Sequence, residues 1–405
     1  MSSPGRPEGE FRRAQPEGSP VSAAGTAPKP QGAAKRPSNE LPWWMTGIGI
    51  PLVQLVLALT VASLVVLGVG ENPLATLKVM LVGAFDPRSG LSSTLYYATN
   101  LIFTGLAVTV AFHAGLFNIG GEGQAYVAGL GVALACLWLD QTLSAPLMFI
   151  VAILAAMLFG ALWAWIPGYL QARRGAHVVV TTIMFNYIAA GLLNYMLVNV
   201  IRSNEGMAIE TRAFAPSSLL PKAQPWLESM GIAVGPSYLN LSLLLALLCV
   251  ALVWWLLWYT RLGYALRSYG QNPRAAVYAG ISATRTIVIA MLISGALAGL
   301  MAVNDVYGAN GRLVLSYTGG MGFLGIAVAL MGRNHPLGVL ASALLFGALY
   351  QGSTDLQLEF PRISPELILV IQGLVVFFAA ALDRLVRDPM ERWYLRRVIM
   401  RNSAS

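Results

Sequence analysis

Few side chains in this sequence of 405 residues could do chemistry, and one group of them stands in an unusual place. In GLFNIGGEGQ, residues 115–124, Glu122 lies among glycines, with Asn118 and Gln124 nearby and long apolar runs on either side. Two kinds of chemistry fit this pattern. Asn118, Glu122 and Gln124 could line a translocation path, where their polar atoms transiently replace water around a hydroxylated solute. Alternatively, Glu122 could cap the exposed amides of a broken helix or pair with another span, for which Asn186 is a candidate. Catalysis is a poor fit, because the buried residues supply no nucleophile–base pair and no metal cluster. His113, His177 and His335 are scattered at span boundaries, where packing accounts for them, and Cys136 and Cys249 sit alone in apolar runs. No GxxxxGK[ST] stretch occurs, so the chain has no phosphate loop with which to use ATP.

The elements that must position these residues follow from composition. Charged residues are 11% of the chain and hydrophobic ones 56%, whereas a soluble domain is roughly 25% charged. Apolar runs long enough to cross a bilayer recur from Ile48 to Leu382. The expected fold is all-α: a polytopic integral membrane helical bundle of about ten transmembrane helices. The spans fall near 45–69, 94–113, 117–139, 146–169, 178–201, 239–259, 286–306, 320–332, 336–354 and 364–382, the eighth being short enough for a half-helix. Residues 1–42, rich in Pro, Gly, Ala and Ser, read as a disordered cytoplasmic tail. Residues 43–385 form the membrane domain, and 386–405 a basic cytoplasmic tail. With the N- and C-termini cytoplasmic, nineteen of the 26 Lys and Arg residues fall inside, as the positive-inside rule requires. The net charge of +8 is then topology information rather than a sign of nucleic-acid binding.

In this topology Glu122 lies ~8 Å along the third span. A charge in hydrocarbon costs on the order of 3 kcal/mol, so the side chain must face protein or a water-filled cavity. Gly115, Gly120, Gly121 and Gly123 remove bulk around it and allow close approach or a break in the backbone. Gly319, Gly320, Gly322 and Gly325, and the pair Gly295 and Gly299, suit close helix packing through small residues. Glu122 is the only acidic residue expected well inside a span, since Asp305 and Asp355 fall near outer ends.

Two connecting segments are long. The outer one, 202–238, is rich in proline and long enough to fold against an external partner. The inner one, 260–285, contains NPRAAVYAG. Asn272 suits an N-cap, Pro273 the first helical position and Gly280 a left-handed terminus. Such a short capped helix is unstable alone and needs a surface to pack on.

RAAVYAG resembles the Glu-Ala-Ala-x-x-x-Gly loop by which permeases of ATP-binding-cassette importers dock into their ATPase. Ala275, Ala276 and Gly280 match, while Arg274 stands where that pattern has Glu. GLFNIGGEGQ, GAHVVVTTIMFNYIA (175–189) and GFLGIAVALMGRNHPLGVLASALLFGAL (322–349) are similar to the nucleoside and simple-sugar importer permeases, relatives of the ribose and branched-chain amino-acid permeases. This resemblance covers about residues 50–385. It implies a non-catalytic permease in a bacterial cytoplasmic (inner) membrane, with Asn272, Pro273, Arg274, Ala275, Ala276 and Gly280 as the ATPase-coupling residues. It also implies two ATPase subunits that bind ATP and Mg, a second and related permease, and an extracytoplasmic substrate-binding lipoprotein. No cofactor is implied in this chain, no nucleic acid, and lipid as its surroundings. Purine nucleosides are the implied substrates, with sugars such as ribose as the alternative. An ion-coupled secondary transporter is the main rival, and the scarcity of acidic groups at mid-membrane counts against it.

Overall fold

The computed structural model describes residues 49–88, 90–203, 207–229 and 238–360, with scattered positions from 363 to 394. The N-terminal tail, most of the tenth expected span and most of the basic C-terminal tail lie outside the described residues. The regular structure among the described residues is helical, apart from two isolated β-bridges. The elements are α1 (Ile50–Gly68), α2 (Pro73–Phe85), α3 (Gly90–His113), α4 (Gly121–Leu139), α5 (Ala145–Arg174), α6 (Val178–Asn199) and α7 (Ala223–Ser229). They continue with α8 (Ser242–Tyr259), α9 (Arg261–Gln271), α10 (Pro273–Tyr278), α11 (Ala283–Gly299), α12 (Met321–Met331) and α13 (Pro336–Glu359).

Among the described residues seven helices are long and apolar enough to cross a membrane, or up to eight if α1 and α2, bent by 119° at their junction, count as one span. The chain is a multi-pass membrane protein. The second to seventh and ninth expected spans each coincide with one of the seven. The first corresponds to α1. The eighth is the short α12, whose 11 residues rise only ~16 Å and cannot cross alone. Residues 70–93 were expected as a connection but contain α2, whose start is set by Asn72 and Pro73. The Asn72 carboxamide accepts from the Leu74 amide at 2.9 Å, and proline suits the next position. The same punctuation of a polar cap followed by proline starts α10 at Asn272 and α13 at His335.

α3 is the centre of the bundle and is buried along nearly its whole length. α5 and α11 pack on each other through small residues, as expected for Gly295 and Gly299. A β-carbon on Gly295 would stand 2.4 Å from the Gly160 carbonyl oxygen, and one on Gly299 would stand 2.3 Å from that of Ala156. Without a strong hydrophobic drive between helices in lipid, this backbone approach is what gives their contact its dispersion energy. On the opposite face of α5, Ile150, Leu154, Leu158 and Leu162 recur every four residues and are exposed. Such a stripe is wetted by lipid or covered by another apolar surface.

One end of the bundle gathers around Trp258, with the rings of His113 and His335 at 5.6 and 5.0 Å and the Arg267 guanidinium at 5.9 Å. These contacts agree with a packing reading of both histidines. At the other end, the segment after α6 lies back on the bundle. Arg212 donates to both carboxylate oxygens of Asp140, at 2.7 and 2.9 Å, and to the Leu137 carbonyl. Phe214 is buried there, and Tyr307 donates to the Ser218 carbonyl.

Candidate functional site

The chain breaks its helices twice inside the bundle, once from each end. After His113, residues 114–120 leave α3 without helical structure and lead inward to α4. Gly115 makes the turn at φ +71°, a region open to glycine, and packs on the Gly270 backbone of α9. From the other end, residues 311–320 descend to the start of α12, turning at Ser316 (φ 56°), Gly319 (φ 54°) and Gly320 (φ 80°). The two helix starts touch. A β-carbon on Gly322 would lie 2.4 Å from the Glu122 nitrogen, and one on Gly121 would lie 3.1 Å from the Gly322 carbonyl oxygen. The packing expected of Gly322 is therefore present, and Gly325 likewise meets Thr104. Gly319 and Gly320 differ from their expectation. They are needed for the left-handed turn, not for helix contact.

Glu122 holds this junction. It is buried in the first turn of α4, and its carboxylate points at the start of α12. Oε1 accepts from the Thr318 hydroxyl and from the Gly320 amide at 3.2 Å, while Oε2 accepts from the Gly322 amide at 2.9 Å. The first amides of a helix have no partner within it and carry partial positive charge. One carboxylate thus satisfies the start of α12 while sitting in the favourable field of the start of α4. Asn186 is present at the junction but does not pair with Glu122. Its carbonyl oxygen accepts from the Gly123 amide and its nitrogen donates to the Ile119 carbonyl, both at 2.9 Å, so it clamps the backbone on either side.

Asn118 and Gln124 face each other with two hydrogen bonds of 3.1 Å. Asn118 also accepts from the Gly120 amide and donates to Ser294, whose hydroxyl reaches the Ala107 carbonyl. All three residues expected on a path are buried, and their polar atoms are engaged by the chain itself.

A second polar cluster was missed by sequence reasoning. Asp305, expected near an outer end, is buried within a π-helical stretch, Val303–Asn310, that continues α11. Its carboxylate accepts from Tyr96 and from Asn100 at 3.0 and 3.1 Å. Asn304 donates to Asn100 at 2.8 Å, and Asn240 to Asn304 at 3.0 Å. The available signal was the run of polar types YYATN on α3 and ND in the stretch that follows α11, each inside an apolar stretch. The π-helix shifts facing by about one residue, which simple helical spacing does not reveal. Among the described residues, no three His, Cys, Asp or Glu side chains could hold a metal ion together.

The segment 260–285 contains two helices. α9 starts at Thr260, whose hydroxyl accepts from the Gly263 amide. α10 starts at Asn272, which accepts from the Ala275 amide at 3.1 Å, and the turn closes at Gly280 with φ +85°. Pro273 is the first residue of α10, Ala276 is buried, and Arg274 and Ala275 are exposed. Val277 and Tyr278 also project, Tyr278 being 94% exposed.

Comparison with known proteins adds a second line of evidence. Residues 90–380 match the family described as "Branched-chain amino acid transport system / permease component". The chain is 32% identical over 338 residues to a nucleoside ABC transporter permease protein of Lactococcus lactis subsp. cremoris, covering 82% of this chain and 90% of the relative. It is 33% identical over 335 residues to a guanosine ABC transporter permease protein of Bacillus subtilis, covering 82% and 92%. A glucose ABC transporter permease protein of Haloferax volcanii is 30% identical over 347 residues, covering 84% and 89%. A family match over residues 90–380 and identities of 30% or more over some four-fifths of the chain show that it belongs to the branched-chain amino acid transport system permease family.

Proposed function

We propose that this chain is the transmembrane permease subunit of an ATP-binding-cassette importer that moves nucleosides, purine nucleosides foremost, across a bacterial cytoplasmic membrane. The observation that carries this reading is identity above 30%, over 82% of this chain, to permeases named for nucleosides and for guanosine. The arginine-rich end, with α9, α10 and Arg333, faces the cytoplasm by the positive-inside rule. ATP and Mg are bound and used there by two separate ATPase subunits. Asn272, Pro273, Arg274, Ala275, Ala276 and Gly280 form the surface that receives their motion. A second, related permease completes the membrane part. That Bacillus subtilis has two similar guanosine permease proteins supports such a pair. An extracytoplasmic binding lipoprotein delivers substrate to the other end.

Asn118, Glu122 and Gln124 belong to the wall that shapes the path, and the geometry favours a supporting role for them over direct contact with substrate. Reconstitution in proteoliposomes with the ATPases, the second permease and the binding protein tests the reading. Uptake of radiolabelled guanosine should require ATP and exceed uptake of ribose or glucose. Accumulation driven by an ion gradient, with this chain alone in the bilayer, would overturn it.

A further inference from the structure

The turn at 315–320 raises a solvation problem. α12 begins ~16 Å from the Arg333–His335 turn at one end of the bundle. In a hydrocarbon layer ~30 Å thick its first residues therefore stand near the middle. The irregular backbone before it is at the same depth, yet Leu315, Ser316 and Gly319 are exposed on the chain's surface. Irregular backbone does not face lipid, because its polar groups would go unsatisfied; it is covered by protein or lines water. Ser316 is also one of three non-glycine residues with positive φ among those described. Side chains held in that region cluster where function over-determines the backbone.

What borders this exposed turn is aromatic. A β-carbon on Gly319 would lie 3.5 Å from the Tyr350 hydroxyl. The Tyr350 ring packs on Tyr97 at 4.5 Å, Tyr97 on Tyr96 at 5.1 Å, and Tyr96 on Tyr238 at 5.6 Å. Tyr238 is exposed at the end opposite Trp258, while Tyr97 and Tyr350 are partly exposed deeper in the bundle. Tyr96 is buried behind them and links the two exposed parts of the row, so the accessible rings are Tyr238 at one face and Tyr97 and Tyr350 beside the strained turn.

We propose that the translocation path passes the exposed faces of Tyr97 and Tyr350 beside the turn at 315–320, and that these two rings receive the planar base of the substrate by stacking. This rests on the nucleoside reading. Stacking on aromatic rings suits a conduit because every base has a π-face, and because no donor or acceptor set need be satisfied at each step. Tyrosine adds a hydroxyl that keeps the wall wetted. A planar base offers such a surface a full π-face, which a sugar ring does not, so the row favours nucleosides over free sugars.

The test uses the full complex in proteoliposomes, with guanosine as substrate and the photoreactive analogue 6-thioguanosine as probe. Tyr97→Ala and Tyr350→Ala should each lower ATP-driven guanosine uptake at least about fivefold, in line with the loss of one base–aromatic stack. Stimulation of ATPase activity by the loaded binding protein should be retained, and Tyr97→Phe and Tyr350→Phe should stay within about twofold of the parent. In the unmutated complex, irradiated 6-thioguanosine should attach to peptides containing Tyr97, Tyr350 or residues 315–320. Alanine variants that transport at the parental rate overturn the proposal. So do cross-links confined to other peptides, which would mean that the second permease covers this turn; this readout holds even where an alanine variant does not assemble. A parent complex that imports no nucleoside at all removes the substrate reading before any variant is made, which keeps the two failures distinct.

Discussion

Replacing Glu122 by glutamine changes the charge and one acceptor atom while leaving the shape almost intact, so it isolates what the carboxylate does. In the parent, Oε1 serves Thr318 and Gly320, and Oε2 serves Gly322. A carboxamide has one acceptor oxygen. If that oxygen takes the Oε1 position, its NH2 group faces the Gly322 amide, leaving a buried donor unpaired at a cost of roughly 1–3 kcal/mol. The two remaining bonds lose their charge assistance, which is about half of their strength. In the opposite rotamer the Thr318 hydroxyl can turn to accept from the NH2 group, and the Gly320 amide becomes the buried donor left unpaired. Together these effects come to about 3 kcal/mol, lost from the contact between the starts of α4 and α12.

For a chain of this size that energy corresponds to a fall in melting temperature of about 6 °C, at ~2 °C per kcal/mol. The measurement is a melting curve on the purified complex in detergent, paired with guanosine uptake per assembled complex. The capping account expects Glu122→Gln to melt early while the complexes that do assemble still transport. A variant that melts within about 1 °C of the parent and yet fails to transport would refute it. The carboxylate would then be acting on the solute, and the observed bonds to α12 would not be what retains it.

Three further outcomes follow from the packing and the caps. Gly295→Ala places a methyl 2.4 Å from both the Gly160 oxygen and the Ala164 β-carbon; α5 and α11 must separate, and melting should report a loss of about 1–3 kcal/mol. Asn272→Ala removes the acceptor for the Ala275 amide, at ~1 kcal/mol of local helix stability. ATPase stimulation by the loaded binding protein should fall, while ATPase activity of the isolated ATPase subunits does not change. At the other end, the paired hydrogen bonds from Arg212 hold the Asp140 carboxyl below the usual carboxylate range, with help from the Ala215 amide and against the effect of burial. Because the folded value is depressed, this contribution is complete above the unfolded value of about 3.9 and is lost as pH falls through the folded one. Arg212 is more than a third exposed, so solvent screening limits the contribution to ~1 kcal/mol or less. Protection factors for hydrogen exchange across residues 211–218 should accordingly fall up to about fivefold in Asp140→Asn at pH 7, and in the parent below about pH 4.

How much of this was legible in the sequence depended on the range of the interaction concerned. Helix positions were readable because apolar length is a local quantity, and so was the start at Asn272, where cap and proline are adjacent. α2 was harder. Its chain turns by 119° after α1, and nothing in the apolar pattern separates a bent pair from a connection. Asp305 was misplaced because a π-helical stretch carries it inward, onto Tyr96 and Asn100 of a helix some two hundred residues away.

Glu122 shows the limit most clearly. Its desolvation could be offset by a hydroxylated solute in a path or by amides of the chain, and both alternatives call for a carboxylate among glycines. The donors that favour the second alternative lie 196 to 200 residues along the chain, in Thr318, Gly320 and Gly322. Left-handed turns at Gly319 and Gly320 bring those donors to the junction. In hindsight the double glycines at 120–121 and 319–320 are the shared signal, since each comes just before or at the start of a helix that begins inside the bundle. A helix that starts in the bundle interior needs an acceptor that water cannot supply. When two such starts meet, one carboxylate can serve both, and a single buried charge is less costly there than two sets of unmade hydrogen bonds.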